Sequence, residues 1–207
     1  MVNSFPDSTK ISEELATILT NIDAVCFDAF GTIAEITDKK NVIRPLLRLA
    51  DKQSRLAWKD KLMRGPLTVE TLIQQGGLIS EDTIHDINDM IDRISEEATS
   101  VTLRTKTALM WRMLRSAGKR IGICSNLAAP YGPPMLSILP DRPDAVALSY
   151  ETGLIKPEAG IYRIVAERLE TEARRILFVG DHLAADVEGP RKMGMRSMEI
   201  SEFERLL

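Results

Sequence analysis

The stretch Val25-Cys26-Phe27-Asp28-Ala29-Phe30-Gly31-Thr32 decides how this chain reads. An apolar run of strand type ends on one carboxylate and passes at once into a turn that contains a glycine. A strand that delivers Asp28 into such a turn makes it a candidate nucleophile. Gly31 lets the backbone approach a ligand closely, and Thr32 offers a hydroxyl to an anion. Taken alone, an Asp in this place serves equally well as a helix or turn cap.

Three later segments place polar residues at or just beyond a strand-like run in the same way. They are Ile121-Gly122-Ile123-Cys124-Ser125-Asn126, then Leu154-Ile155-Lys156-Pro157, then Ile176-Leu177-Phe178-Val179-Gly180-Asp181 continuing to Asp186. Strand-like runs near 24–28, 120–125, 144–149, 175–180 and 195–199 alternate with helical patterns near 103–117, 158–169 and 184–193. A short amphipathic helix over 11–20 precedes them. This alternation predicts an α/β fold with a parallel sheet and right-handed crossovers. Gly118 stands where a helix C-cap is expected, and Pro157 suits the first turn of the next helix.

From Thr32 to about residue 102 the period becomes helical with no convincing strand. The reading is therefore a core over 1–32 and 103–207, with an inserted helical lobe over 33–102. Charge in the lobe is split: residues 39–64 carry nine Lys or Arg against two Asp, and residues 80–97 carry seven Asp or Glu against Arg93. The two halves can pair with each other. The functional alternative is that Arg44, Lys52, Arg55 and Lys59 meet an anionic substrate. Pro130, Pro133, Pro134 and Pro140 mark a loop-rich passage after Asn126, with at most a short helix.

The chain has 207 residues, 44% hydrophobic and 28% charged, with a net charge of −3. Such a composition gives no general attraction to nucleic acid or an anionic membrane. Residues Met1 to Lys10 lack the apolar core of a signal peptide, and no apolar run has the length of a membrane span. A cytoplasmic location is expected. The two cysteines, Cys26 and Cys124, sit inside apolar runs without metal-ligand spacing and read as buried thiols.

In the order Asp28, Ser125, Lys156, then Asp181 with Asp186, the chain resembles the haloacid dehalogenase-like hydrolase superfamily, from about Asp28 to Asp186. The resemblance implies a three-layer Rossmann-like core with strand order 3-2-1-4-5, and it makes the 33–102 lobe a small helical cap over the active site. Ligands of open α/β sheets collect beyond the carboxyl ends of the strands, where strand order reverses. With that order, Asp28 and Asp181 face each other across the crevice.

Asp28, Asp181 and Asp186 then bring three negative charges together, and Lys156 returns one. A divalent cation among the acids resolves the excess, and Mg²⁺ suits oxygen ligands that also face a substrate phosphate. By resemblance its ligands are Asp28, the backbone carbonyl of Phe30 and Asp181, with Asp186 acting directly or through water. The resemblance further makes Asp28 the nucleophile that forms an aspartyl-phosphate. Ser125 holds phosphate oxygens, Lys156 neutralises nucleophile and phosphate, and Thr32 and Asn126 stand as substrate contacts, with Tyr162 either a further contact or a packing residue in its helix. His182 is read as a wall residue. The implied partner is a small anionic metabolite.

One position departs from the pattern. Most phosphatases of the superfamily carry a second Asp two positions after the nucleophile, as general acid and base, and here that position is Phe30. An Asp-Ala-aromatic-Gly-Thr sequence resembles the metal-independent 2-haloacid dehalogenases, for which Arg55 and Trp58 are the nearest halide-cradle candidates. Asp181 argues the other way, since those enzymes usually have a small polar residue there. A third reading keeps the cleft as a binding or regulatory site with weak turnover.

Overall fold

The computed structural model describes residues 12–40, 61–66 and 81–207. Helix α1 (Glu13–Leu19) opens with Ser12 as N-cap, its hydroxyl accepting the Leu15 N–H. Strand β1 (Ala24–Phe27) follows, then β2 (Ala34–Ile36), helix α2 (Glu81–Thr99) and β3 (Val101–Leu103). The remainder alternates: α3 (Thr107–Ser116), β4 (Arg120–Ser125), α4 (Gly132–Ser137), β5 (Ala145–Leu148), α5 (Ser149–Thr152), α6 (Ala159–Arg168), β6 (Ile176–Gly180), α7 (Gly189–Lys192), β7 (Arg196–Glu199) and α8 (Ile200–Arg205). A π-helical turn, Leu183–Glu188, precedes α7.

The main sheet has the order β5-β4-β1-β6-β7, all neighbours parallel. Counted along the core this is 3-2-1-4-5, as expected. Strands β1 and β6 are buried at every residue. Parallel strands covered on both faces need such unbroken apolar runs. Alternate residues serve the two faces: Val25, Phe27, Ile121, Ile123, Leu177 and Val179 pack with Leu15, Met110, Trp111 and Phe203 on one side. On the other, Cys26, Cys124 and Phe178 pack with Ile161, Tyr162, Val165 and Leu169 of α6 and its end. Helices thus cover both faces, which makes three layers, and both cysteines are buried free thiols.

Three expectations are corrected. The segment from Thr32 to 102 is not without strands: β2 and β3 pair antiparallel, with Ala34 opposite Leu103 and Ile36 opposite Val101. At three residues each, they are too short for a period of two to show. The helix expected from 103 begins at Thr107 instead. Pro157 lies outside the first turn of α6, which starts at Ala159 behind Glu158. Gly118 does close α3, at φ +69° and with its N–H donated to Arg115. Arg44, Lys52, Arg55, Trp58 and Lys59 lie outside the described residues.

Candidate active site

Strand β1 carries Asp28 one residue past its end, where the Asp28 N–H still donates to the Val179 carbonyl at 2.9 Å. Strand β6 ends at Gly180 and delivers Asp181 beside it; β4 ends on Ser125. The carboxyl ends of the three central strands therefore converge where the strand order reverses, the place where open α/β sheets bind ligands.

Lys156 crosses into this crevice and is 4% exposed. Its Nζ donates to Asp28 Oδ1 and to Asp186 Oδ1, each at 2.6 Å. It also lies 5.2 Å from the centre of the Phe178 ring. Burial by itself would lower the ammonium's pKa, but Asp28 and Asp186 reverse that and hold it above its ordinary value. Asp28 moves the same way for a different reason: burial raises its carboxyl, the Asp186 charge adds to this, and Lys156 with the Ser125 hydroxyl offsets only part. One cation does not balance the acids.

Asp186 is 1% exposed, and its second oxygen accepts the His182 N–H at 2.9 Å. Gly180 makes room for it: a Cβ there would stand 2.4 Å from both Cβ and Cγ of Asp186. Gly31 does the same for Asp181, since it holds φ +87° and a Cβ would fall 2.1 Å from Asp181 Oδ2. The turn after Asp28 is thus pressed against the second acid, which only glycine permits at that conformation. Carboxylate oxygens of Asp28, Asp181 and Asp186 lie within 4.8 Å of one another. Among the described residues the Phe30 carbonyl accepts no hydrogen bond. Three acids of oxygen type and an unengaged carbonyl fit a hard divalent cation.

The other expected residues fall in different places. Thr32 is fully buried in the turn, and its hydroxyl has no partner among the described residues. Asn126 engages both ends of its amide with Lys156: Nδ2 donates to the Lys156 carbonyl at 2.9 Å, and Oδ1 accepts the Lys156 N–H at 2.7 Å. It positions the lysine. Of the two readings of Tyr162, substrate contact or packing, its surroundings are those of a packing residue. It is wholly buried against Phe178, with its hydroxyl donated to the Ala185 carbonyl at 2.6 Å. His182 is exposed, and its Nδ1 accepts from the Ala185 N–H.

Sequence reasoning missed the supports. Arg104 donates to the Gly31 carbonyl and pairs with Glu204 at 3.1 Å, so it braces the turn that carries Asp28. Glu97 is 7% exposed; it accepts the Tyr131 hydroxyl at 2.9 Å and the Lys40 N–H at 2.5 Å. Tyr131 in turn packs edge-on to Phe30, with centroids 5.8 Å apart. Arg64 pairs with Glu158 at 2.5 Å, beside the loop that carries Lys156. Each of these partners is distant along the chain, so no local pattern announces it.

A family model for haloacid dehalogenase-like hydrolases matches residues 22–194. The chain belongs to that family. Solved structures similar to this hydrolase include a HAD phosphatase from Thermococcus onnurineus, 22% identical over 85% of each chain with a TM-score of 0.53. A 2-haloacid dehalogenase from Pseudomonas syringae pv. Tomato is 19% identical over 85% of each chain, with a TM-score of 0.60. A HAD family enzyme from Bacteroides thetaiotaomicron, in complex with magnesium and inorganic phosphate, is 16% identical over 86% of this chain and 93% of its own, with a TM-score of 0.56. At these identities the likeness is one of fold. Among the described residues no helix is long and apolar enough to cross a membrane.

Proposed function

We propose that this hydrolase is a Mg²⁺-dependent phosphatase that acts on a small phosphorylated metabolite through an aspartyl-phosphate. One observation carries the reading: three carboxylates within 4.8 Å of one another, with a single ammonium among them. Asp28, Asp181, Asp186 and the Phe30 carbonyl would hold the ion. When bound, Mg²⁺ supplies positive charge that offsets the acids and the substrate phosphate.

The chain's own residues do the rest. Asp28 attacks phosphorus, the P–O bond to the leaving group breaks, and the alcohol or acid departs. Water then attacks the acyl-phosphate and frees phosphate and Asp28. Lys156, kept protonated by its two acids, orients Asp28 and faces the transferred oxygens, while Ser125 and neighbouring amides hold them. Residues 33–102 form the cap and select the substrate. A cytoplasmic setting accords with the free thiols, Cys26 and Cys124.

The dehalogenase reading has one specific observation in its favour, Phe30, which stands where the second Asp would be and packs T-shaped with Tyr131. It is the weaker reading, because Asp181 would repel a carboxylate substrate in a metal-free site. A panel of phosphate esters and acyl phosphates assayed in magnesium, with Asp28→Asn as control, tests the choice. Phosphate release that vanishes in the control and with chelator is the expected result. Halide release from 2-chloropropionate without metal, on a silent phosphate panel, would reverse it.

A further inference from the structure

At the amino ends of β1, β6 and β7, opposite the acids, Asn21, Arg174, Arg175, Gly194 and Arg196 line a cleft of about 360 Å³. Three arginines line one small volume, and two of them, Arg174 and Arg175, pair with acids. Arg175 is gripped by Asp23 through Nε and Nη2. Arg174 gives Nε to Glu172 at 2.6 Å, its two terminal amino groups have no partner among the described residues, and its side chain is 77% exposed. Arg196 makes one long contact, 3.5 Å to the Ile18 carbonyl, and no ion pair among the described residues. The Asn21 side chain has no hydrogen bond among them either.

Lys119 and Arg120 act on Asp23, with the Lys119 ammonium donated to the Leu19 and Ile22 carbonyls. After the Arg175 hydrogen bond, offset in part by burial, their charge and that of Arg175 help hold the Asp23 carboxyl below its ordinary value. Three cations, Arg174, Arg175 and Arg196, thus line the cleft, and two acids, Glu172 and Asp23, pair with the first two of them. The chain as a whole carries −3, so this corner has the opposite sign to the molecule.

We propose that the cleft is a second anion site, built for a small, multiply charged phosphate and separate from the catalytic crevice. The planar fork of arginine pairs with two phosphate oxygens at once, which an ammonium cannot do. Arg174 and Arg196 supply unengaged N–H groups, and the Asn21 amide adds a neutral donor. Among the described residues no aromatic ring lines the cleft, so the phosphate group is what is recognised and not a stacked base. Because the arginines face solvent, binding weakens as salt rises.

Calorimetric titration of inorganic pyrophosphate into the full chain without divalent metal tests this. Arg174→Ala with Arg196→Ala should weaken binding roughly tenfold or more, the scale of one charge-assisted pair. Turnover by the double variant should equal that of the native chain, which also shows that it folds. Arg196→Gln keeps an N–H for the Ile18 carbonyl and should weaken binding through charge alone. Affinity equal in the native chain and both variants, or affinity indifferent to salt, would overturn the proposal.

Discussion

At the carboxyl end of the sheet three carboxylates meet one ammonium in a crevice where Lys156 and Asp186 are almost wholly buried. At the amino end three arginines line a cleft at the surface, beside Asp23 and Glu172. The same crowding of like charge has different consequences in the two places. Water screens the exposed arginines, so their excess costs little and their pairs add little. Burial removes that screening, so the acidic end depends on each partner being present and in place.

Removing the one buried cation breaks this contrast most severely. Lys156→Met should cost about 3–5 kcal/mol, the usual penalty for leaving buried charge without its partner, as read by denaturant unfolding in metal-free buffer. Magnesium should recover more of that loss than it adds to the native chain. Asp23→Asn, which breaks an exposed pair at the other end, should leave the unfolding midpoint nearly where it was. Comparable losses in the two variants would erase the distinction.

Adding a fourth acid sharpens it. Phe30→Asp supplies the missing general acid and should raise turnover of alkyl phosphates roughly a hundredfold, the lower range for such catalysis. An unchanged or lower rate with intact folding would show that the acid is not what limits turnover. Gly31→Ala acts on geometry instead, forcing a Cβ into the Asp181 carboxylate at a positive φ. We expect a stability loss of about 1 kcal/mol or more and weaker magnesium binding by calorimetry, with Lys156 and Asp28 still paired.

The smallest effect is in pH. The Asp28 carboxyl is raised in the folded chain, so its favourable contribution is full below the ordinary carboxylate value of about 3.9 and fades as pH rises through the folded value. The difference in thermal midpoint, native minus Asp28→Asn, should therefore fall between acid and neutral pH without metal. Magnesium should flatten that trend.

Much of this architecture was legible in the chain. Four core strands, β1, β4, β5 and β6, announce themselves because strands buried on both faces need continuous apolar runs, and such runs end on the residues that matter, Asp28, Ser125 and Asp181, whereas β7 at the edge is exposed at Arg196 and Glu199. Strands β2 and β3 escaped because three residues carry no period, and Ala34 is buried by its neighbours rather than by its own pattern. Tyr162 sits at a helical spacing that fits either core or cleft, and only packing against Phe178 decides between them. Arg104, Glu97 and Tyr131 brace the site from far along the sequence, where spacing has no say.

The order of apolar runs, and hence a parallel sheet whose strand ends carry acids, is written in consecutive residues. Local chemistry suffices for that, since burial on two faces leaves its mark on consecutive residues. The tertiary structure alone decided which charges share a dielectric and which face water. It set Lys156 between Asp28 and Asp186, pressed Gly31 onto Asp181 and left the arginines outside, because electrostatic strength depends on distance and burial, and neither is written along the chain.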